Sequence, residues 1–409
     1  MIQIRNVKQQ EYSSSQQEIK FNNTMLIFNL IRDHMPISRI ELTKRSPLSA
    51  STVSKLVEDL LEKQWILETE SVQNSSRGRR SIQLEVNGKR GYVATVELLG
   101  QGYICTLYDI CLQKIAGTRI RNTAYDADTI GSTIRELLRG AKIASSALIG
   151  IHLIFPGVVD SISGNLISSP VFPDEAQIER HLVIQLKKQF FDAHVMISTN
   201  GAVNAFDASL IKKGPSRLPL LAVNIDEAIF AGVVLTSSDG RMNFCFPVEV
   251  GHSVLDYNGP KCRCGNRGCA EILLSTPALF RALNEQAGMK LEYSEVFGAE
   301  CNVTAMKQVA KALEAGRQEL EPVMREYIRV LCSVLRSVVD LLNIRSVRVG
   351  GDIAMLGETF LRMLRECFYT EFHPINSEER VQIELFNSDY ENVRLAATIM
   401  CLDAIFRKQ

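Results

Sequence analysis

The sequence predicts a mixed α/β chain in which a small N-terminal domain precedes a larger body of two lobes. Residues 21–87 carry three short helical patterns followed by two strand patterns, and strand and helix patterns alternate from Gly91 onward. Alternation of this kind is typical of α/β layers. The body exceeds 300 of the 409 residues, which is more than one hydrophobic core usually serves, so two lobes are expected.

Three short helices are expected first. An apolar stripe predicts the first helix, and Pro36 ends it. Ser38 and Glu41 have the spacing of a capping box, which predicts the start of a second helix. The third helix begins with Ser49 or Ser51 as its N-cap.

The third helix has a face of small polar and cationic side chains opposite its apolar face. These side chains are Ser51, Thr52, Ser54 and Lys55. A helix without bulky groups on its leading face can enter the major groove of DNA and contact base edges. The pattern therefore indicates a recognition helix.

A basic tip joins the two strands that follow. It carries Arg77, Arg79 and Arg80 around Gly78, a composition suited to phosphates or a minor groove. Three helices and a basic hairpin predict a winged helix-turn-helix domain over residues 1–88. The alternative is an ordinary helical domain with a solvated charged loop. Residues 1–90 hold 14 Lys/Arg against 10 Asp/Glu, which favours DNA binding.

The overall composition excludes several classes of protein. The formal net charge is zero, so the whole chain is not a polycation. No apolar run approaches the length of a membrane span, and the polar N-terminus has no signal-peptide core. Ten cysteines are present, and the seven outside one cluster lie among apolar neighbours. They indicate reduced thiols in a cytoplasmic protein.

The body shows clear strand and helix patterns. Strands are expected over 92–97, 103–108, 114–120, 147–155, 194–198, 220–225 and 346–349. Helices are expected over 127–144, 304–315, 322–343 and 391–407.

One imidazole and three thiols form a compact candidate metal site. The residues are His252, Cys262, Cys264 and Cys269, separated by glycines that let a short loop fold back. Thiolates and imidazole favour zinc over magnesium or calcium, and four protein ligands predict a closed, structural site. The alternative is a chance grouping of a histidine and three reduced cysteines.

The same segment resembles the signature of the ROK family of repressors and sugar kinases. In that family a Glu-x-Gly-His element, here Glu249 to His252, precedes a Cys-x-Cys-Gly-x-x-Gly-Cys-x-Glu element, here Cys262 to Glu271. The run Ile154 to Asp160 and the turn Val349 to Gly351 also resemble the family. With the N-terminal winged helix, the chain is similar to the Mlc and NagC subgroup, which represses sugar uptake and use.

The resemblance implies a fold of two actin-like lobes with a cleft between them. The first lobe is expected over 89–199, completed by a C-terminal helix at 388–409. The second is expected over 200–387 and includes the zinc loop, defined as residues 252–269.

Family kinases use an aspartate base and glycine-rich phosphate loops, and the matching positions differ here. Gly201 stands at the position of the aspartate and cannot accept a proton. The first loop corresponds to 97–101, where two leucines would keep a triphosphate away from the backbone, and the second to 226–232, where bulky Ile229 and Phe230 stand. Only the pair Gly350-Gly351 remains. Kinase activity is therefore not expected, and the chain is predicted not to be an enzyme.

The resemblance also implies four effector-binding residues. Asn200, Glu249, His252 and Glu271 match positions that hydrogen-bond sugar hydroxyls in the family. The alternative for Glu249 and Glu271 is support of the zinc loop.

Together these features predict a cytoplasmic transcriptional repressor of sugar uptake or catabolism genes. A homodimer or homotetramer would present two heads to operator DNA. The expected effector is a sugar, a sugar phosphate or a sugar-transporter protein. The alternative function is an active ROK-type sugar kinase with altered catalytic residues, and Gly201 is the feature that separates the two.

Overall fold

The computed structural model describes most of the chain. The described residues are 7–70, 82–100, 102–121, 124–159, 166–169, 181–210, 218–236, 243–294, 300–371, 381–386 and 390–407. They form a mixed α/β structure with one three-stranded sheet, one two-stranded sheet and two five-stranded sheets. The predicted wing residues Arg77, Arg79 and Arg80 lie outside the described residues.

The N-terminal part, called the head below, comprises α1 (Val7–His34), β1 (Ile37–Ser38), α2 (Arg39–Arg45), α3 (Ala50–Glu62), β2 (Ile66–Glu70) and β3 (Ile82–Val86). The first half of the body contains β4 (Tyr92–Leu99), β5 (Gly102–Asp109), β6 (Lys114–Arg121), α4 (Ala127–Gly140), β7 (Leu148–Phe155), β8 (Val158–Val159), β9 (Leu166–Ser168), α5 (Leu182–Gln189) and β10 (His194–Thr199).

The second half contains α6 (Asn200–Leu210), β11 (Leu220–Ile225), β12 (Ile229–Thr236), β13 (Asn243–Val248), α7 (Ala270–Leu274), α8 (Thr276–Ala287), α9 (Glu300–Glu314), α10 (Glu321–Leu342), β14 (Ser346–Gly350), α11 (Gly357–Thr370), β15 (Gln382–Leu385) and α12 (Tyr390–Arg407). The predicted strands and helices of the body are all present, with ends shifted by a few residues.

The head has the predicted order of three helices and a strand pair. Ser38 caps α2 through its side chain, which accepts from the Glu41 N–H, while Glu41 Oε2 accepts from the Ser38 N–H at 2.9 Å. Ser49, rather than Ser51, caps α3 by accepting from the Thr52 N–H at 3.2 Å. The three strands pair in the order β1-β3-β2. This arrangement is consistent with a helix-turn-helix domain.

The two five-stranded sheets share one topology. Their orders are β6-β5-β4-β7-β10 and β13-β12-β11-β14-β15, so each places its strands as 3-2-1-4-5 in chain order. In both, the first three strands are antiparallel and the last two extend the sheet in parallel. Each sheet packs in its own hydrophobic core. The body therefore has two lobes of the same kind, which we name first and second after their sheets.

Two helices cross between the lobes. Helix α6 follows β10 of the first sheet but contacts β11, β12 and β13 of the second sheet. Helix α12 follows β15 of the second sheet but contacts β4 and β7 of the first. The two helices also touch each other, and Val203 of α6 shares an apolar cluster with Ala396 and Ala397 of α12. The lobes meet along this pair.

The head is attached to the body through an aromatic cluster. Phe28, Trp65 and Phe406 are buried together, and the Phe406 ring lies 4.9 Å from Phe28 and 4.4 Å from Trp65 between centroids. The Arg90 guanidinium covers the Trp65 ring at 4.8 Å. Because Phe406 belongs to α12, the head packs on the C-terminal helix and therefore on the first lobe.

The expectations about compartment and membrane meet two observations. All ten cysteines are free thiols. Across the part of the chain that the structure describes, no helix combines the length and apolar character that crossing a bilayer requires.

Candidate metal centre and interlobe cleft

The four predicted metal ligands lie together in the segment of the second lobe that joins β13 to α7. Their ligand atoms all lie within 4.8 Å of one another. His252 Nδ1 is 3.7 Å from Cys262 Sγ, and Cys264 Sγ is 3.6 Å from Cys269 Sγ. A tetrahedral zinc ion with bonds of about 2.3 Å to sulfur separates its ligand atoms by about 3.8 Å. The set therefore fits a tetrahedral metal ion, bound by His252 through Nδ1.

Backbone turns shape the zinc loop around these ligands. Short antiparallel bridges join Val254 to Cys269 and Lys261 to Arg267. Gly268 has a φ of +61°, and a Cβ there would lie 1.7 Å from the Asp256 carbonyl oxygen, so only glycine is accommodated. Because the chain turns back this tightly at Gly268, the Cys269 thiol comes to lie beside the Cys264 thiol.

Glu271 links the zinc loop to the second sheet. Its Oε1 accepts from Arg263 Nε and its Oε2 accepts from the Ile229 N–H, both at 3.1 Å. The side chain is buried. Both oxygens are therefore engaged by the protein, as expected for a residue that supports the loop. Glu249, for which support of the zinc loop was also the alternative role, is exposed.

The structure brings the four predicted effector residues to one small cavity between the lobes. Asn200, Glu249, His252 and Glu271 line it together with Gly201 and residues of β12. Its volume is about 20 Å³. A space of this size holds about one water molecule. In this conformation the predicted residues are gathered, but the space between them is almost closed.

Gly201, at the start of α6, lies directly against β12 of the second sheet. A Cβ on it would lie 2.1 Å from the carbonyl oxygen of Ala231 in β12. A Cβ on Gly232 would in turn lie 2.3 Å from the Gly201 carbonyl oxygen. The backbones of α6 and β12 therefore touch where family kinases have their aspartate. The chain therefore lacks the aspartate, and this arrangement would also leave no space for its side chain.

The first predicted phosphate loop is a closed hairpin. Leu99 pairs with Gly102 across the β4–β5 turn, and Tyr125 Oη both accepts from the Gly102 N–H and donates to the Leu99 carbonyl. Leu98 and Leu99 are buried, so their side chains pack inside the protein. At the preceding position, Glu97 Oε2 accepts from Arg394 Nη1 of α12 at 2.8 Å.

At the remaining glycine pair, Gly350-Gly351, a side chain fills the space beside the turn. Asp226 Oδ1 accepts from the Asp352 N–H at 2.6 Å, and a Cβ on Gly351 would lie 2.5 Å from the same oxygen. Burial and the neighbouring Asp352 carboxylate raise the pKa of Asp226 from 3.8 to about 7. A phosphate at this turn would meet a carboxyl group already in place.

The raised pKa of Asp226 predicts a pH-dependent stability. The folded state holds this proton up to about pH 7, whereas the unfolded state releases it near pH 3.8. The stability that the proton contributes is therefore complete at low pH and is lost as the pH rises from 3.8 to about 7. We expect Asp226→Asn, which keeps an acceptor for the Asp352 N–H, to remove this dependence of stability on pH. Urea midpoints of the two proteins from pH 4.5 to 7.5 measure the difference, with Asp192→Asn as an exposed control. Parallel curves for wild type and Asp226→Asn would contradict the assignment.

The predicted groove face lies on α3. Ser51 and Lys55 are exposed, and Thr52 and Ser54 are half-buried. The Ser49 hydroxyl lies 2.9 Å from that of Ser51 and 2.8 Å from that of Thr52, which orders the start of the helix. The face is accessible in the described structure.

Several residues of the cleft were not identified from the sequence. Arg394, Asp352 and Arg263 make contacts that depend on partners distant in the chain or on the fold of the loop. An arginine inside the otherwise apolar pattern of α12 was the one available signal, because a buried arginine needs a carboxylate partner.

Comparison with known proteins assigns the body to a family. The model of the ROK family matches residues 93–395. The xylose repressor of Bacillus subtilis strain 168 is 28% identical over 283 residues, which cover 68% of this chain and 72% of that protein. The N-acetylglucosamine repressor of Escherichia coli O6:H1 is 26% identical over 367 residues, covering 86% of each chain.

A solved structure has the same fold over nearly the whole chain. It is the crystal structure of a ROK family transcriptional regulator described as a homolog of the E. coli MLC protein. The TM-score is 0.70 at 21% identity, and the match covers 95% of this chain and 97% of that one. The likeness therefore extends over the head as well as the two lobes.

Proposed function

The chain belongs to the ROK family, and from this we propose that it is a DNA-binding transcriptional repressor of sugar uptake or catabolism genes. The observation that carries the proposal is the contact of Gly201 with β12, which leaves a family kinase body without its base and without room for one. Likeness to two proteins named as sugar repressors supports it. The head would bind the operator, and the body would respond to a ligand.

We propose further that the body is not an enzyme. Three positions support this: the glycine at 201, the closed β4–β5 hairpin, and the Asp226 carboxyl group in the Gly350-Gly351 turn. Phosphoryl transfer needs a base and backbone N–H groups free to hold phosphates. The family contains active kinases, so a sugar kinase with altered residues is the alternative function.

The proposed metal is a structural zinc ion held by His252, Cys262, Cys264 and Cys269. The ligand set leaves no open coordination position, and thiolate ligands favour zinc. A bound ion would join His252 to the three cysteines and so stabilise the folded loop.

The proposed DNA contacts divide into two classes. Ser51, Thr52, Ser54 and Lys55 would contact bases in the major groove, and Arg77, Arg79 and Arg80 would contact phosphates or a minor groove. A homodimer or homotetramer would present two heads to a palindromic operator. The DNA partner and the ten free thiols support a cytoplasmic location.

The proposed effector site consists of Asn200, Glu249, His252 and Glu271, which share one cavity. The two relatives are named after different sugars, so we propose the class of sugar or sugar phosphate and not one compound. A sugar-transporter protein on the body is the third possible effector. The residue ranges 1–88, 89–199 with 388–409, and 200–387 remain our proposed domains.

Enrichment of genomic DNA fragments by the purified protein at physiological salt tests the proposal. We expect a palindromic site beside sugar transport or metabolism genes. Replacing Arg77, Arg79 and Arg80 with alanine should weaken binding to all fragments alike and flatten its salt dependence, whereas Ser54→Ala should change the preferred sequence. Lys188→Ala, an exposed change on α5, is the control.

Two outcomes would contradict this function. Metal-loaded protein that retains no preferred fragment is not an operator-binding repressor. Consumption of ATP in the presence of D-xylose or N-acetylglucosamine would establish the kinase alternative.

A further inference from the structure

We propose that the second lobe carries a binding site for a small zwitterion, namely a free α-amino acid with an apolar side chain. The site is a groove between α9, α10 and α11. It shares no lining residue with the cavity of the four effector residues. The inference therefore goes beyond the proposed function and does not depend on it.

The groove is large enough for a small molecule. Its volume is about 300 Å³, whereas the effector cavity measures about 20 Å³. Ligand pockets usually measure about 300–1,000 Å³, so the groove is at the lower end of that range. Six of its lining residues recur three or four positions apart along α11, from Thr359 to Thr370, so one face of this helix forms a continuous wall. The end of α9 and the N-terminal part of α10 form the other walls.

The base of the groove is apolar. Leu313 of α9, Ile328 of α10 and Cys367 of α11 are buried there, and Met363 is partly buried. Burial raises the pKa of the Cys367 thiol, so the sulfur is uncharged at neutral pH and behaves as a small apolar group. The base therefore favours an apolar side chain over a sugar, whose hydroxyls would lose their hydrogen bonds to water there.

The rim of the groove carries equal numbers of positive and negative side chains. Three arginines and three glutamates line it, all of them exposed: Arg317, Arg325 and Arg362 with Glu321, Glu366 and Glu371. Because their formal charges cancel, the groove as a whole attracts neither anions nor cations. A ligand with one charge of each sign can be attracted by both kinds of side chain.

Two of these six charges have no partner in the protein. Ion pairs of 2.9–3.7 Å occupy the other four: Arg325 with Glu321, Glu371 with Arg329, and Arg317 with Glu319. Within the part of the chain that the structure describes, Arg362 and Glu366 form no ion pair. They lie four residues apart on α11, so their side chains start on the same face with Cβ atoms about 5–6 Å apart.

An α-amino acid matches this pair of charges. Its carboxylate can accept two hydrogen bonds from the Arg362 guanidinium, and its ammonium group can donate to the Glu366 carboxylate. Both ligand charges are attached to one carbon, so the two side chains can contact them from adjacent helical turns. A direct ion pair between Arg362 and Glu366 would contribute little at this exposed position, so the ligand replaces no strong interaction. Its apolar side chain would lie on the base of the groove.

Binding of L-leucine, L-methionine and two leucine analogues to the full-length protein tests the charge requirement. L-Leucinol keeps the ammonium group but lacks the carboxylate, and 4-methylpentanoate keeps the carboxylate but lacks the ammonium group. We expect wild type to bind L-leucine or L-methionine in calorimetric titrations. Both analogues should bind at least about tenfold more weakly than L-leucine, because each lacks one charge-assisted interaction.

Two single variants assign each ligand charge to a side chain. Arg362→Gln should weaken L-leucine binding by about tenfold and leave L-leucinol binding unchanged. Glu366→Gln should weaken L-leucine binding to a similar degree and leave 4-methylpentanoate binding unchanged. Arg345→Gln and Glu285→Gln are the matched controls, because both positions are exposed and lie outside the groove.

Three results would overturn the inference. Wild-type protein that binds neither L-leucine nor L-methionine has no such site. Equal affinity for L-leucine and 4-methylpentanoate would show a site for anions and not for zwitterions. Equal loss of affinity in the groove variants and in their controls would place the binding elsewhere. Selection of operator fragments is measured separately, so each of these results leaves the proposed function standing.

Discussion

Replacing Cys262 and Cys264 with serine will remove metal binding and operator binding together. The two thiolates are half of the ligand set, and the remaining His252 and Cys269 cannot complete a tetrahedral site. We expect metal affinity to fall by more than about 100-fold and operator affinity by at least about tenfold, because the free energy of metal binding contributes to folding. Metal content by mass spectrometry and operator titration measure the two effects.

The operator effect follows from the position of the loop. Glu271 lies two residues beyond Cys269 and bonds both Arg263 of the loop and the Ile229 N–H of β12. Disorder of the loop would therefore reach the strand that contacts Gly201. Cys301→Ser is the control, since its thiol lies outside the cluster and a hydroxyl can keep the bond to Asn302 Oδ1. A metal-free protein that binds operator normally would disprove the structural role of the metal.

Replacing Arg394 with methionine will destabilise the protein by about 3–5 kcal/mol. Its Nη1 donates to Glu97 Oε2 at 2.8 Å, and both side chains are buried. Burial raises the pKa of Glu97, and the guanidinium opposes that rise. Without Arg394 the carboxyl group must take up a proton or remain buried as an unpaired charge. Denaturant midpoints at pH 7 measure the loss.

A surface ion pair between β6 and α12, the helix that carries Arg394, provides the comparison with the buried pair. Lys114 Nζ donates to Glu391 Oε1 at the same distance of 2.8 Å, but about half of each side chain is exposed, 46% and 54%. Lys114→Met should therefore change stability by less than about 1 kcal/mol. The double variant Glu97→Leu with Arg394→Met should be more stable than either single variant, because no buried charge is left alone. Equal effects of Arg394→Met and Lys114→Met would show that the buried pair is unimportant.

Local features of this protein were predictable from the sequence. The spacing of Cys262, Cys264 and Cys269 after His252 predicted the ligand cluster, because a glycine-rich loop of that length has few ways to fold. The Ser38–Glu41 capping box predicted the start of α2 for the same reason: both partners lie within one helical turn. Periodic apolar patterns likewise placed the strands and helices of the body, since burial of one face is a local requirement.

The arrangement of the cleft and of the head was decided only by tertiary structure. Glu97 and Arg394 are 297 residues apart, and Trp65 meets Phe406 from the opposite end of the chain. No periodicity encodes such pairs. Gly201 was predictable as a missing base, but its backbone contact with Ala231 was not, because it depends on how α6 packs on the second sheet. Such contacts between distant segments arise only when completed helices and strands pack against one another.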